Sequence, residues 1–298
     1  PVISTMPEPL DFNRHAQDWP HRAASRLVET PGIRWHVQVM GEGPPLLLLH
    51  GTGASTHSWA GLIPLLTERF TVIAPDLPGQ GFTTISGRKD LSMSGMATSI
   101  RHLLDVLGLE PQIAVGHSAG AAVLTRMSLD QQLAPRSIIA LNGAFVPFGG
   151  VVTRMFSPLA KLLTLNPLVP QLFAWSASDR TSVERLLKST GSTIPEESLV
   201  LYQRLFASPP HVSSTLAMMA SWDLDSLLRD LPRLKPPLLL VIGDNDLTIS
   251  PDDARLIARV VPSSRTVRLT GVGHLAHEEA PTRIADVIFS SGEPETTL

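Results

Sequence analysis

Short, uninterrupted apolar runs alternate along the chain with segments in which apolar residues recur every three or four positions. Runs of this kind are typical of strands buried on both faces of a parallel sheet. Two earlier segments flank the turn signal Pro31-Gly32 and indicate an opening antiparallel ribbon. Together they predict an α/β protein with a mostly parallel sheet of eight strands. The predicted strands are Arg26–Glu29, Ile33–Met40, Pro45–His50, Thr71–Leu77, Pro111–Ser118, Ser137–Asn142, Pro237–Ile242 and Arg265–Leu269.

Amphipathic segments between these strands predict helices that cover the sheet. Gly108 is a suitable C-cap for one of them, and Ser250, followed by a proline and two acids, is a suitable N-cap for another. The predicted helices are Trp59–Arg69, Met93–Leu107, Ala119–Leu129, Pro251–Val261 and Thr282–Phe289.

The alternation stops between residues 145 and 231, where the chain is rich in proline and contains no convincing strand. A strand-free interval of this length is unusual inside an α/β unit, so we interpret it as a helical cap inserted into one core. Residues 1–144, with an N-terminal strap, and 232–298 then form the two parts of that core. The alternative is that the interval supplies further core helices.

Composition narrows the possible chemistry. The 298 residues include no cysteine, which excludes disulfides, thiolate catalysis and cysteine-ligated metal sites. The net charge is −3 and basic residues are scattered, so we expect no nucleic-acid partner. No HExxH or phosphate-binding loop occurs, and we expect neither a metal nor a cofactor. The first 15 residues lack a signal-peptide core and no run suits a spanning helix, so we expect a cytoplasmic protein.

The most informative motif is Gly116-His117-Ser118-Ala119-Gly120, which matches G-x-S-x-G. A predicted strand precedes it and a predicted helix follows it, which is the strand–turn–helix context of a nucleophile elbow. Such a turn strains the serine backbone, and the flanking glycines remove Cβ atoms that would clash. We therefore predict Ser118 as the nucleophile.

A serine nucleophile needs a base, and that base needs an acid. His274 follows the last predicted strand, at the sheet edge where Ser118 also lies, and is the preferred base among ten histidines. Asp246 follows the preceding strand and is the preferred acid, with Asp244 as its competitor. Asn142-Gly143 after the previous strand offers no carboxylate.

Two backbone amides should stabilise the oxyanion that such a triad generates. One is the N–H of Ala119, the residue after the nucleophile. The other is expected from the loop His50-Gly51-Thr52-Gly53, with Thr52 as the donor. A purely structural glycine turn would give this loop the same sequence.

The segments LLLLHGTG, APDLPGQGFT, AVGHSAG, VIGDND and GVGHLAHEEAP, in this order, resemble the α/β-hydrolase superfamily from Arg26 to Phe289. The resemblance implies the α/β-hydrolase fold and the chain order Ser…Asp…His. Gln80 stands where that superfamily often has histidine, in a loop that we expect to be structural.

A narrower resemblance rests on Trp19–Arg26, on Arg34–Gln38 and on the segments HGTGASTHSW and DLPGQGFT. These segments are similar to the BchO family, the magnesium-chelatase accessory proteins of bacteriochlorophyll biosynthesis, although His21 replaces the family's usual Asn. The resemblance implies a photosynthetic bacterium, a connection with porphyrin metabolism and chelatase subunits as partners.

Two functions of different classes follow. The first is a serine hydrolase acting on an ester or related acyl bond. The second is a porphyrin-binding or handling protein, because the apolar cap could line a pocket for a flat macrocycle or rest on the surface of a photosynthetic membrane. The ligand is accordingly expected to be a small apolar ester or a porphyrin. The predicted pocket residues are Gly53, His117, Phe145, Phe173, Trp175, Met218 and Trp222.

Overall fold

The computed structural model describes residues 10–87, 91–146, 166, 168–177 and 179–291. Their strands form one mixed sheet in the order β1-β2-β4-β3-β6-β7-β8-β9, with the two-residue strand β5 added beside β2. Strands β3, β4 and β6–β9 pair in parallel, whereas β1 and β2 form an antiparallel ribbon. The strands are β1 Ser25–Thr30, β2 Ile33–Met40, β3 Pro45–Leu49, β4 Thr71–Pro75, β5 Thr84–Ile85, β6 Ile113–His117, β7 Ser137–Leu141, β8 Leu238–Gly243 and β9 Arg265–Leu269.

Helices connect the parallel strands and cover both faces of the sheet. The α-helices are α1 Phe12–His15, α2 Ile63–Leu66, α3 Met93–Leu107, α4 Ala119–Leu129, α5 Leu168–Ser176, α6 Arg180–Lys188, α7 Glu196–Phe206, α8 Pro209–Ala220, α9 Leu224–Asp230, α10 Asp253–Val260, α11 Ala276–Glu279 and α12 Pro281–Ser291. Short 3-10 turns lie at Arg22–Ala24, Thr56–Trp59 and Leu231–Arg233. None of the described helices is both long enough and apolar enough to cross a membrane.

Two apolar cores lie on opposite faces of the sheet because successive strand residues point to opposite sides. Leu47 and Leu49 of β3 pack into one core with α3 and α4. Leu46 and Leu48 of the same strand pack into the other, with α2 and α12. Their complete burial confirms the prediction that this run is a central strand covered on both faces.

The predicted fold class is confirmed, with small differences at the ends of elements. Met93–Leu107, Ala119–Leu129 and Arg265–Leu269 have the predicted bounds. The predicted helix Trp59–Arg69 is a 3-10 turn followed by the four-residue α2. The N-cap of α10 is Asp252 rather than Ser250, whose hydroxyl instead accepts from the N–H of Asp252.

Among the described residues, five helices, α5–α9, lie between β7 and β8, and we call them the cap helices. No strand occurs among the described residues between 142 and 237. Helices α6 and α7 bury Val183, Leu187, Leu199 and Tyr202 against Ala54 and Leu275 of the core. The cap helices therefore pack over the loops at the carboxyl ends of β3 and β9.

A buried hydrogen-bond network around Asp76 links β1 and β2 to the loops after β3 and β4. The Asp76 carboxylate accepts from His36 Nδ1 at 2.8 Å and from the N–H groups of Thr56 and Phe82 at 2.7 and 2.9 Å. His36 Nε2 lies 2.8 Å from the Ser25 hydroxyl. Burial opposes ionisation of Asp76, but the neighbouring His36 and the hydrogen bonds lower its pKa to about 2.

Candidate active site

Ser118 occupies a strained turn between β6 and α4. Its backbone angles are φ 49° and ψ −111°, outside the regions that non-glycine residues favour. A Cβ at Gly116 would overlap the backbone of Ala121, and one at Gly120 would overlap the carbonyl of Leu49. The motif needs glycine at both positions because the turn brings backbone into direct contact there.

Asp246 and His274 come together from the loops after β8 and β9. His274 Nδ1 lies 2.8 Å from Asp246 Oδ2. The other carboxylate oxygen of Asp246 accepts from the N–H groups of Thr248 and Ile249 at 2.7 and 2.9 Å. The carboxylate therefore holds the proton of His274 on Nδ1 and leaves Nε2 as the basic nitrogen.

The competing acid, Asp244, lies elsewhere. Its side chain pairs with the Arg268 guanidinium at 2.8 Å, near the protein surface. Of the two acids that the sequence offered after β8, the structure brings only Asp246 to His274.

Asn142 organises the loop that carries His274, a role that the sequence analysis did not assign. Its amide group donates to the carbonyls of Gly273 and His274 at 3.0 and 2.8 Å, and its oxygen accepts from Gly243 N–H at 2.8 Å. The side chain is buried and its backbone has φ 46°. The usable signal was an Asn-Gly pair directly after β7, where a polar residue in left-handed backbone is favoured.

The cap also contacts both the acid and base loops. The carbonyl of Thr190 accepts from the N–H groups of Leu247 and His274 at 3.1 and 3.3 Å. The Ser192 hydroxyl accepts from Leu275 N–H at 2.8 Å. Gly191, at φ +83°, packs so tightly between these loops that a Cβ would overlap the carbonyl of Asn245.

The loop after β3 faces the elbow. A Cβ on Gly51 would lie 2.6 Å from His117 Nδ1 and 3.2 Å from Ser118 Cβ. His50 Nε2 accepts from Leu77 N–H at 2.9 Å, so His50 Nδ1 carries the proton and donates to Gly51 O at 2.8 Å.

The carbonyl of Gly51 also accepts from Ala54 N–H at 3.2 Å. These two bonds fix the Gly51–Thr52 peptide, and its N–H points away from them because the peptide is planar. Ala119 is the first residue of α4, so its N–H precedes the intrahelical ladder. Both predicted oxyanion donors thus belong to fixed backbone beside Ser118.

A cavity of about 790 Å³ opens onto Ser118 and His274 between the core loops and the cap helices. A volume of this size suits a small-molecule ligand. Its surface is mainly apolar, and Asp223 and Asp225 are the acidic residues among the described lining. The core contributes Thr52, Gly53, Ala54, His117, Ala144, Thr248 and Leu275, and the cap contributes Phe173, Leu186, Leu187, Thr190, Tyr202, Phe206, His211, Val212, Thr215, Leu216, Met219, Ala220, Ser221, Trp222 and Leu224.

Three of the predicted pocket residues are not part of this lining. Phe145 is buried in the core, Met218 on the cap helix α8 is buried against that core, and Trp175 is 73% exposed on α5. An apolar pattern shows which residues favour burial but not which side of a helix meets the cavity. The lining contains the other four, Gly53, His117, Phe173 and Trp222.

A buried carboxyl group lies behind the cavity wall. Glu278 Oε1 accepts from Ser58 Oγ at 2.6 Å and from Tyr202 OH at 2.7 Å, which links a cap helix to the core. Burial raises the pKa of Glu278 to about 7, although the bonds from Ser58 and Tyr202 act in the opposite direction. Burial likewise lowers the pKa values of the nearby His57 and His277 to about 3, so both rings are neutral.

The fold is that of a known protein family. The sequence model of the alpha/beta hydrolase family matches residues 46–287, and the chain belongs to that family. The putative lipase lip1 of Acinetobacter baumannii AYE has the same fold, with a TM-score of 0.77 and 23% identity over 94% of this chain and 95% of that one.

Sequence relatives are more specific. The chain is 36% identical over 274 residues to the magnesium-chelatase 30 kDa subunit of Rhodobacter capsulatus, covering 91% of this chain and 95% of that protein. The resemblance to chelatase accessory proteins that the motifs indicated is thereby confirmed. The chain is also 26% identical to pyrrolizixenacetamide deacetylase of Xenorhabdus hominickii, over 81% of this chain and 88% of that enzyme.

Proposed function

We propose that this protein is a serine hydrolase that cleaves an ester or related acyl bond with Ser118, His274 and Asp246. The observation that carries the proposal is the buried contact between His274 and Asp246 at the same cavity that Ser118 lines. The strained elbow and the fixed peptides beside it supply the other elements that acyl transfer needs.

The reaction has two steps. Ser118 Oγ attacks the carbonyl carbon of the substrate while His274 Nε2 takes the serine proton, and Asp246 stabilises the resulting imidazolium. The N–H groups of Ala119 and Thr52 stabilise the oxyanion. Collapse of the intermediate transfers the proton from His274 to the departing alcohol and leaves an acyl-serine. Water then attacks this ester with His274 again as base, releasing the acid and restoring the serine hydroxyl.

The relationship to a chelatase subunit supports a role beside magnesium chelatase in bacteriochlorophyll biosynthesis. A tetrapyrrole ester would combine that setting with this chemistry, since the cavity is large and mainly apolar. Thioesters and carbon–carbon bonds beside a carbonyl are attacked by the same triad chemistry, and a panel of substrates separates these possibilities.

The test is turnover of a panel of p-nitrophenyl esters, acyl thioesters, β-diketones and porphyrin methyl esters by wild type, Ser118→Ala and Ser94→Ala. Ser94 is exposed on α3, away from the cavity, and serves as the control. We expect wild type and Ser94→Ala to be equally active and Ser118→Ala to lose about a thousandfold or more. Equal activity in all three would overturn the assignment of the nucleophile.

A second candidate function is tetrapyrrole binding in support of the chelatase, without hydrolysis. It is favoured by the relative's name and by the aromatic lining, which includes Phe173, Tyr202, Phe206 and Trp222. Fluorescence titration with a porphyrin distinguishes it. Binding that is unchanged in Ser118→Ala, with no turnover of any substrate by wild type, would favour this function over the first.

We also propose that α5 makes peripheral contact with a membrane surface. Leu168, Leu172 and Trp175 are 61%, 64% and 73% exposed, and the helix contains no charged residue. Flotation with vesicles tests this: wild type should rise with them, and Leu172→Glu should remain at the bottom. Equal behaviour of the two proteins would contradict it.

A further inference from the structure

One face of the cap helix α8 contacts the core loops on the oxyanion side of the cavity. His211, Ser214, Thr215 and Met218 recur at the spacing that places residues on one side of a helix. Ser214 lies so close to Gly79 that a Cβ there would come within 2.5 Å of its hydroxyl, and Thr215 packs beside Gly53. The glycines at 53 and 79 both have positive φ and lack a Cβ, so the helix can approach their backbone closely.

His211 bridges two of these core loops with both of its ring nitrogens. Gly81 N–H donates to His211 Nδ1 at 3.0 Å, so Nδ1 is unprotonated and the ring proton is on Nε2. Nε2–H then donates to the carbonyl of Gly53 at 3.1 Å. The ring is buried, and burial lowers its pKa to about 4, in keeping with a neutral ring that both donates and accepts.

Gln80 fixes the peptide between Thr52 and Gly53, which precedes the one that His211 binds. Its side-chain oxygen accepts from Gly53 N–H at 2.8 Å, and its amide group lies 3.0 Å from the sulfur of Met218 on α8. Both side chains are fully buried. The loop that contains Gln80, expected from the sequence to be only structural, therefore contacts the predicted oxyanion loop directly.

Each of these side chains binds a different peptide group of the His50–Gly53 loop. His50 holds the carbonyl of the peptide whose N–H belongs to Thr52, Gln80 holds the next peptide, and His211 holds the one after it. Only the two backbone dihedrals of Thr52 separate its N–H from the peptide held by Gln80. The direction of that N–H thus depends on His50 within the loop and also on two side chains outside it, one of them from the cap.

We propose that His211 and Gln80 are positioning residues that hold the Thr52 N–H toward the oxyanion, so that the cap completes the oxyanion hole. Neither side chain is expected to touch the reacting atoms. Their effect is on the orientation of a backbone donor, which matters in the transition state more than in the bound substrate. The proposal rests on the proposed function, because an oxyanion forms only if Ser118 attacks a carbonyl.

The test compares His211→Ala, His211→Asn and Gln80→Ala with wild type and with Ser213→Ala, a control on the same helix that does not line the cavity. kcat and KM are measured on the ester that wild type hydrolyses best. Each protein is also titrated with a trifluoromethyl ketone, whose serine adduct carries an oxyanion, and with the matching methyl ketone. Thermal unfolding midpoints identify variants whose effect is loss of folding.

We expect kcat to fall about 10-fold to 100-fold in His211→Ala and Gln80→Ala, with KM within about threefold of wild type. Affinity for the trifluoromethyl ketone should fall by a similar factor, and affinity for the methyl ketone should not change. His211→Asn, which keeps a donor and an acceptor, should recover part of kcat. Ser213→Ala should match wild type.

Unchanged kcat in both folded variants, or a change confined to KM or to both ketones equally, would overturn the positioning role. If His211→Ala does not fold, His211→Asn and Gln80→Ala give the same comparison. A wild-type protein that hydrolyses no substrate and binds both ketones equally would reject the proposed function itself, and this inference with it. Activity in wild type with no loss in the variants would reject only the inference.

Discussion

His274 Nδ1 lies 2.8 Å from Asp246 Oδ2, and the two side chains are only 8% and 1% exposed. Two backbone N–H groups bind the other oxygen of this carboxylate. The acid is thus held in one orientation from both sides, and the histidine is held with it. The two side chains are 28 residues apart in sequence, and the loops after β8 and β9 bring them together.

Asp246→Asn should lower kcat by about 10³-fold to 10⁴-fold with little effect on folding. The amide oxygen will stay with the N–H groups of Thr248 and Ile249, which places the NH₂ group toward His274. The imidazole must then carry its proton on Nε2, so this nitrogen cannot accept the proton of Ser118. Steady-state kinetics and a thermal unfolding midpoint measure both effects. An active Asp246→Asn, or an inactive Asp244→Asn, would contradict the assignment of the acid.

Gly191→Ala should damage catalysis and stability together. A Cβ would overlap the carbonyl of Asn245, and φ +83° is strained for alanine. The acid and base loops both bind this part of the cap, so kcat should fall at least about 10-fold, and the free energy of unfolding by about 2 kcal/mol or more. Chemical denaturation and kinetics are the measurements.

Gly87→Ala is the matched control for that variant, since a Cβ there would meet no atom within 4 Å. Its stability and kcat should match those of wild type. If Gly191→Ala behaves like Gly87→Ala, the cap does not hold the two loops in place.

Much of the architecture could be predicted from the chain because buried parallel strands produce continuous apolar runs. Strand ends were less predictable: His50 and Asn142 belong to loops, although each directly follows an apolar run. The two-residue strand β5 is too short to produce a pattern. Ser118, Asp246 and His274 could be chosen from motif context, and their joint catalytic role stays a prediction.

The pocket was harder to predict. Met218 and Met219 are neighbours on α8, yet the first is fully buried on Gln80 and the second lines the cavity. Hydropathy cannot separate them because both are the same apolar residue. The roles of His211 and Asn142 depend on hydrogen bonds between distant segments, which no local pattern records.

The contribution of Glu278 to stability should fall as the pH rises from about 4.5 to about 7. Its pKa rises from the ordinary value of 4.5 to about 7 in the folded protein. At this group the folded state therefore binds more protons than the unfolded state between these values, and the corresponding contribution to stability is lost as Glu278 ionises. The contribution is on the order of 3 kcal/mol.

Glu278→Gln removes this titration, so the unfolding free energy of the variant, taken relative to that of wild type, should rise with pH over that window. Glu42→Gln, whose side chain is exposed in the turn before β3, should leave the curve unchanged. A Glu278→Gln curve parallel to that of wild type would show that this carboxyl group does not contribute.

Covalent labelling shows whether Ser118 is an activated nucleophile. Wild type, Ser118→Ala, His274→Ala and Ser94→Ala are incubated with a fluorophosphonate, and the adduct is located by intact mass and peptide mapping. We expect one phosphonyl group on Ser118 in wild type and in Ser94→Ala, slow labelling in His274→Ala, and none at this position in Ser118→Ala. An unlabelled wild type, or an adduct formed at the same rate in Ser118→Ala, would contradict this expectation.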